Sequence, residues 1–131
     1  MSDITSLTLT QTLKALENKQ FDLEQLNKAY LERIEKYNPE LNAYLHVNEG
    51  NKKIPAAIKD VISTKGIPTT ASSKILEGYI PPYNATVMNL LFEHGVGIIG
   101  KTNHGEFAMG GSGENSAYGV TRNPHDTSRV A

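Results

Sequence analysis

The sequence predicts one α/β domain that begins with a helical hairpin. Apolar residues recur at helical spacing over residues 8–37, and an apolar helix over about residues 85–94 is followed by a glycine and a short apolar run. A helix, a tight turn and a buried strand in this order are typical of a parallel α/β unit. The length of 131 residues suits a single domain. We therefore expect a hairpin over residues 1–40 and an α/β part over residues 41–131.

The composition excludes several classes of protein. The chain has 13 basic and 14 acidic residues, so it lacks the basic excess of a dedicated nucleic-acid-binding protein. It contains no cysteine, which excludes a disulfide scaffold, a thiolate nucleophile and any cysteine-ligated metal site, and which fits a cytosolic protein. No apolar run approaches the ~18 residues of a membrane span, and the N-terminus lacks the features of a signal peptide.

Two helices are predicted within the hairpin, on either side of the polar residues 18–20. Asp22, with Gln25 three residues later, predicts the N-cap of the second helix and its reciprocal partner. Pro39 predicts the end of that helix. The apolar face of the hairpin either packs on the rest of the domain or contacts a partner protein, and the sequence leaves both interpretations open.

The α/β part is predicted to hold two strands before its helix, over residues 41–47 and 54–62. Asn84 is a favourable N-cap residue and predicts the start of the helix over about residues 85–94. The apolar residues 96–99 predict a buried strand.

Glycine is concentrated in one segment, because eight of the 11 glycines fall within residues 95–119. Glycine allows a positive φ and a close backbone approach, so such a segment is common where the backbone meets a ligand. A flexible surface loop explains the composition equally well. Phe107, Met109 and Tyr118 argue against pure flexibility, since they give the segment side chains to bury.

Lys59 is a candidate base. It is flanked by Ile58 and by Val61 and Ile62, and burial among such residues lowers the pKa of a lysine. A salt bridge, for example with Asp60, or a surface position is the commoner outcome for a lysine in this local sequence.

Two other kinds of site are disfavoured. Residues 95–102 match the pattern G-x-x-x-x-G-K-T of a phosphate-binding loop, but that loop requires a strand before its first glycine. Here a helix is predicted to precede residue 95, and residues 96–99 are themselves the predicted strand. A metal site is not expected either, because the histidines show no ligand spacing. They are His46, His94, His104 and His125.

Several stretches resemble the amidase signature family. They read IPAAIKD at residues 54–60, TKGIPTT at 64–70, PPYNATV at 81–87 and IIGKTN at 98–103. Residues 106–110 and 114–119 extend the match, and so do residues 29–34 and 41–44 in and after the hairpin. The order and spacing of these stretches are most similar to the branch of the family that forms the A subunit of tRNA-dependent amidotransferases.

This resemblance implies a fold, a catalytic residue and a binding wall. The fold would be the N-terminal part of the amidase signature fold, a mixed β-sheet flanked by helices and preceded by the hairpin. Family members use a Ser–cis-Ser–Lys triad, and the match places its catalytic lysine at Lys59. Substrate-binding residues of the amide pocket would be Met109, Gly110, Gly111 and Ser112.

The resemblance also implies an activity and its partners. In this branch, the A subunit hydrolyses glutamine through a serine ester, without a metal, and the ammonia converts tRNA-bound glutamate or aspartate to the amide. It works in the cytoplasm with subunits B and C, and the complex uses ATP and Mg at another subunit. A general amidase for small amides and a non-catalytic, partner-binding fragment remain the alternative interpretations.

Two features depart from the family pattern. Residues 47–54 are shorter than the helical connector that family members usually have there. The sequence also stops at Ala131, just where the Gly/Ser-rich segment with the cis-serine is expected, so neither triad serine is present. We therefore expect residues 1–131 to be a partial amidase domain that is inactive alone. The serines that do not match the triad positions are Ser63, Ser72, Ser73, Ser112 and Ser116.

Overall fold

Three α-helices and five β-strands form the part of the chain that the computed structural model describes, residues 3–131. The helices are α1 (Leu9–Glu17), α2 (Leu23–Leu41) and α3 (Thr86–Glu93). The strands are β1 (Tyr44–Val47), β2 (Ile54–Lys59), β3 (Val96–Thr102), β4 (Arg122–Asn123) and β5 (Asp126–Val130). Short 3-10 helices lie at Ile4–Ser6, Lys74–Leu76 and Glu106–Ala108. No helix within residues 3–131 is long and apolar enough to cross a membrane.

The predicted helical hairpin is confirmed, together with the cap of its second helix. The Asp22 carboxylate accepts a hydrogen bond from the Gln25 N–H at 2.8 Å, and the Gln25 side chain accepts one from the Asp22 N–H at 2.9 Å. These two bonds satisfy backbone donors that the first turn of a helix leaves free. Leu26 of α2 is fully buried, and the Asn27 amide beside it donates to the Lys53 carbonyl at 2.9 Å, so α2 packs at the start of β2.

The predicted end of α2 at Pro39 is wrong, because the helix continues through this proline to Leu41. Contacts at its C-terminus explain the extension. Asn42 adopts a left-handed φ of 52° and donates its N–H to the Asn38 carbonyl. The Asn38 side chain in turn binds both the N–H and the carbonyl of Tyr44, so the helix ends where its side chains reach β1.

The central sheet is mixed and has the strand order β1-β3-β2. β3 runs parallel to β2 and antiparallel to β1, and the parallel pair is joined through α3. The predicted parallel α/β unit is therefore confirmed, with Gly95 at a φ of +77° between helix and strand. The buried strand is longer than predicted and runs to Thr102. A side chain at Gly100 would meet the His46 carbonyl at 2.6 Å, so glycine is required for β1 to approach β3.

The predicted N-cap at Asn84 is wrong. α3 starts at Thr86 after Ala85, which makes no side-chain cap bond. Asn84 instead accepts a hydrogen bond from the Lys65 N–H at 2.7 Å and so holds the loop that leaves β2. The Asn84 side chain therefore makes a contact with a residue distant in sequence and not the local capping bond that the sequence pattern favours.

The core lies between α3 and the sheet. Ile58 of β2, Met88 of α3 and Ile98 of β3 form its centre, and Leu91 and Phe92 pack around them.

A second group of apolar side chains is exposed to solvent between β2 and β3 in the sequence. Its members are Val61, Ile75, Tyr79, Ile80, Tyr83, Val87 and Leu90. The division of the chain at residue 40 stays a prediction.

We expect residues 1–131, produced alone, to be marginally stable and to aggregate, because many large apolar side chains are exposed and such side chains drive association. Lysine at both Ile75 and Ile80, which are 79% and 54% exposed, should lower light scattering on heating. The same change at Leu9, which is 63% exposed on α1, is the matched control and should have less effect. A monodisperse monomer with a sharp, cooperative thermal transition would contradict this expectation.

Candidate active site

The site is built where the parallel strands β2 and β3 end side by side. Lys59 is the last residue of β2 and pairs with Thr102, the last residue of β3. Ile58 before it and Asp60 after it are buried, whereas Lys59 is exposed. Because side chains alternate along a strand, Lys59 lies on the sheet face opposite to Ile58 and the core. The structure thus presents Lys59 to solvent, and its catalytic assignment stays a prediction.

Lys101, and not Lys59, is the buried lysine of this region, with 0% of its surface exposed. Its ammonium donates to the Ile62 carbonyl at 2.9 Å and to the hydroxyls of Thr64 and Thr69 at 3.1 Å and 2.8 Å. The Asp60 carboxylate lies 3.5 Å away and balances the charge. Burial lowers the pKa of Lys101, and the nearby Asp60 carboxylate opposes that shift.

A β-bulge turns Lys101 inward. Ala56 pairs with Ile98 but Ala57 pairs with Gly100, so Ile99 has no counterpart on β2. The extra residue puts Lys101 beside Ile58, on the face that packs against α3. Without it, simple alternation would place Ile98 and Lys101 on opposite faces. Since residues 96–102 form a buried strand, the G-x-x-x-x-G-K-T match is not a phosphate-binding loop.

Asp60 connects the buried ammonium to the segment after residue 68. Its second carboxylate oxygen accepts from the Thr70 N–H at 3.0 Å, the Thr70 hydroxyl at 2.5 Å and the Ser72 N–H at 3.4 Å. Its carbonyl accepts from the Ala71 N–H at 3.2 Å. Ala71 and Ser72 both have left-handed φ values, 51° and 53°, which side-chain-bearing residues adopt at a cost of about 1–3 kcal/mol each. The contacts with Asp60 hold this turn in place.

A second left-handed turn is attached to the first. Phe107 and Ala108 have φ values of 53° and 59°, and the Phe107 N–H donates to the Ala71 carbonyl at 2.9 Å. The Ser73 hydroxyl donates to the Glu106 carboxylate at 2.6 Å. Asp60 is therefore linked through one residue, Ala71, to the segment that leads into the predicted pocket.

The predicted substrate-binding residues follow this second turn on the surface. Met109 is 67% exposed, Gly110 and Gly111 are exposed, and Ser112 is half-buried. Gly110 has a φ of +120°, which restricts the position to glycine. The Ser112 hydroxyl donates to the Glu114 carboxylate at 2.6 Å. An open wall of this kind can contact a ligand, although the role of these residues as a pocket stays a prediction.

The buried serines near the site have structural roles. The hydroxyls of Ser72 and Ser116 donate to the Asn103 side-chain oxygen at 3.3 Å and 2.6 Å, and Ser73 is bound to Glu106. The Asn103 amide group also donates to the Asn42 and Gly119 carbonyls, so it joins the hairpin, β3 and the glycine-rich segment. Within residues 3–131, no three His, Asp or Glu side chains are grouped so as to hold a metal ion.

Sequence reasoning missed Lys101 as a site residue. The signal available was a lysine two residues after the apolar run 96–99, together with an aspartate after Lys59 that could neutralise it. Recognising the pair required knowing that β2 and β3 are neighbours and that β3 is bulged.

Substitution of Lys101 by methionine should lower the free energy of unfolding by about 3–5 kcal/mol, because it leaves Asp60 as an unpaired buried charge. The double substitution Asp60→Asn with Lys101→Met should recover most of this loss, since removal of a whole buried pair is often close to neutral. Urea denaturation followed by circular dichroism measures both. The control Lys14→Met, on the exposed side of α1, should stay within about 0.5 kcal/mol of the unaltered chain. Additive losses in the double variant would contradict the pairing.

Comparison with known proteins gives the family of the chain. The sequence profile named Amidase matches residues 52–131. The A subunit of glutamyl-tRNA(Gln) amidotransferase from Dehalococcoides mccartyi is 45% identical over 150 aligned positions, which cover 99% of this chain and 31% of that protein. Its counterpart from Thermoanaerobacter pseudethanolicus is 44% identical over 148 positions, which cover 98% of this chain and 30% of that protein. The chain thus spans about a third of the length of these relatives.

Solved structures agree with this relationship. The crystal structure of the A subunit of glutamyl-tRNA(Gln) amidotransferase from Thermotoga maritima superimposes with a TM-score of 0.87 at 40% identity, over 99% of this chain and 30% of that one. An amidase superimposes with a TM-score of 0.81 at 26% identity, over 95% of this chain and 33% of that one. The fold of residues 3–131 is therefore that of the corresponding part of these proteins.

The alignment also shows a difference in length. It runs over 150 positions but covers only 99% of 131 residues, so the D. mccartyi relative has about 20 residues that this chain lacks. The expectation that residues 47–54 are shorter than in the family stays a prediction; in this structure β1 and β2 are joined there by a short polar turn. The matched profile, the 40–45% identity and the superimposed fold together establish that the chain belongs to the amidase signature family.

Proposed function

We propose that residues 1–131 are the part of a glutamine-hydrolysing amidotransferase subunit that supplies its lysine base and one wall of its glutamine pocket. The observation that carries this proposal is the 45% identity to the A subunit of glutamyl-tRNA(Gln) amidotransferase over 99% of the chain. The exposed position of Lys59 at the end of a parallel strand supports it, because functional residues of α/β folds gather at the carboxyl ends of their strands.

The proposed role of Lys59 is proton transfer. In its amine form it takes a proton from a bridging serine, which takes the proton of the nucleophilic serine as that oxygen attacks the glutamine side-chain carbonyl. The carbon–nitrogen bond then breaks, ammonia leaves with the returned proton, and water hydrolyses the serine ester to glutamate. In this proposal both serines belong to the remaining two thirds of the subunit, because the serines of residues 1–131 do not match the triad positions of the family motif.

Met109, Gly110, Gly111 and Ser112 form the proposed binding wall. The glycines let the backbone come close to a small amide substrate, and the Ser112 hydroxyl is the polar group at its end. The link from Asp60 through Ala71 to Phe107 fixes this wall relative to the strand end that carries Lys59.

The proposal extends to the assembly. The protein would act in the cytoplasm with subunits B and C, and its ammonia would convert Glu-tRNA(Gln) to Gln-tRNA(Gln) or Asp-tRNA(Asn) to Asn-tRNA(Asn). ATP and Mg would be used at another subunit, and the glutaminase step would need no cofactor. The alternative is a general small-amide amidase, which the TM-score of 0.81 to an amidase at 26% identity supports.

Residues 1–131 alone should release no ammonia from glutamine, because a lysine can accept a proton but an ester intermediate requires a hydroxyl nucleophile and donors for the oxyanion. Lys59→Ala should then leave the assay at the same background. Release above background that Lys59→Ala abolishes would contradict this, and one of the serines present would be the nucleophile.

Fusion of residues 1–131 to the remainder of the T. maritima subunit should restore glutamine hydrolysis. Lys59→Ala in the fusion should reduce kcat by about 100-fold or more, the contribution typical of a positioned proton carrier. Lys14→Met on α1 is the matched lysine control and should have no effect. Equal activity of the fusion with and without Lys59 would contradict its assignment as the base.

A further inference from the structure

The buried ammonium of Lys101 and the exposed Lys59 lie on opposite faces of the same pair of strands. Lys101 pairs in register with Ile58, one residue before Lys59, and its ammonium is surrounded by oxygens of the loop that follows Lys59. The acceptors are the carbonyl of Ile62, the hydroxyls of Thr64 and Thr69, and the carboxylate of Asp60. The loop that leaves β2 is therefore wrapped around this single ammonium group.

Asp60 transmits the position of Lys101 to the residues on either side of it. Its N–H donates to the Thr102 carbonyl at 3.1 Å, which extends the β2–β3 pairing one residue beyond Lys59. Its carboxylate faces Lys101 and binds the backbone of Thr70 and Ser72. The backbone of Lys59 is therefore tied to the position of Asp60 at the strand end.

Stability alone does not account for this buried pair. An apolar side chain at position 101 would suit a face that packs against Ile58 and Ile62, and replacement of a buried ion pair by apolar residues is often neutral or stabilising. What a charge provides, and an apolar group does not, is a fixed direction for the four oxygens that converge on it. Those oxygens set the path of the loop between β2 and the left-handed turn at Ala71.

We propose that Lys101 is a positioning residue for the amide hydrolysis, acting through Asp60 to hold Lys59 and the turn at residues 70–73 in their working arrangement. Lys101 itself touches no substrate, because it is fully buried behind the strand. This inference rests on the proposed function, in which Lys59 is the base.

The test uses the fusion of residues 1–131 to the remainder of the T. maritima subunit, with glutamine as substrate. The informative variant is the double substitution Asp60→Asn with Lys101→Met, because it removes both charges and leaves no unpaired buried one. Circular dichroism and urea denaturation establish that it folds. Lys101→Met alone and the control Lys14→Met complete the series.

We expect the folded double variant to lose about 100-fold in kcat, the effect of misplacing a catalytic group by about 1 Å. Its KM for glutamine should change by less than about threefold, because position 60 is linked through Ala71 to Phe107 and the proposed binding wall by backbone hydrogen bonds, which the substitutions keep. A purely structural defect would lower the amount of active protein or raise KM instead. Amide hydrogen exchange should also be about tenfold faster at Thr70 and Ser72, whose N–H groups donate to Asp60, while Leu26 in the hairpin stays protected.

A folded double variant with unaltered kcat, or with unaltered exchange at Thr70 and Ser72, overturns the role of Lys101. If the fusion turns over glutamine, depends on Lys59 and is indifferent to the double substitution, this inference fails while the proposed function stands. If the unaltered fusion, folded and assayed both alone and with subunits B and C, releases no ammonia, the proposed function fails and the role of Lys101 falls with it.

Discussion

The ion pair between Lys101 and Asp60 is the interaction on which the geometry of the site depends. A fully buried ammonium must have its protons accepted and its charge balanced, and Ile62, Thr64, Thr69 and Asp60 meet both demands. These four residues belong to one continuous loop. The need to satisfy the charge therefore fixes the path of the chain from the end of β2 to the first left-handed turn.

Backbone geometry makes this arrangement accessible. The bulge at Ile99 turns Lys101 toward the core side of the sheet, and Gly100 beside it lets β1 approach closely enough to cover β3. The strained turn at Ala71 and Ser72 persists because Asp60 accepts four hydrogen bonds from this segment, three at its carboxylate and one, from the Ala71 N–H, at its backbone carbonyl. Lys59 is left on the opposite face, where it is exposed to solvent.

Much of the fold could be predicted from the sequence, because it depends on local patterns. The capping box at Asp22, the glycine after α3 and the parallel unit of β2, α3 and β3 all follow from residue types at fixed spacing. The predictions for Pro39 and Asn84 failed because tertiary contacts displaced the local preference. The hairpin of β4 and β5 and the role of Lys101 were not predicted. Each depends on which segments pair with each other, and the periodicity of apolar residues carries no information about that pairing.

The candidate site residues divide in the same way. Lys59 was found through the resemblance of IPAAIKD to a family motif, whereas its local sequence favoured a salt bridge or a surface position. In the structure, Asp60 forms its salt bridge with Lys101 of β3. Lys59 of β2 is exposed. The family motif thus marks a pair of neighbouring residues, one facing the solvent and one facing a buried partner.

The state of the Lys101 side chain is the most direct test of the buried ion pair as the centre of the site. In ¹⁵N-labelled protein, NMR detection of lysine Nζ should give one ammonium signal that exchanges slowly with water and shows contacts to the Thr64 and Thr69 side chains. The double variant Asp60→Asn with Lys101→Met, which we expect to stay folded, assigns this signal by its absence. A Lys101 signal that exchanges as fast as those of the surface lysines, or a side chain that is acetylated as readily as Lys59, would contradict that central role.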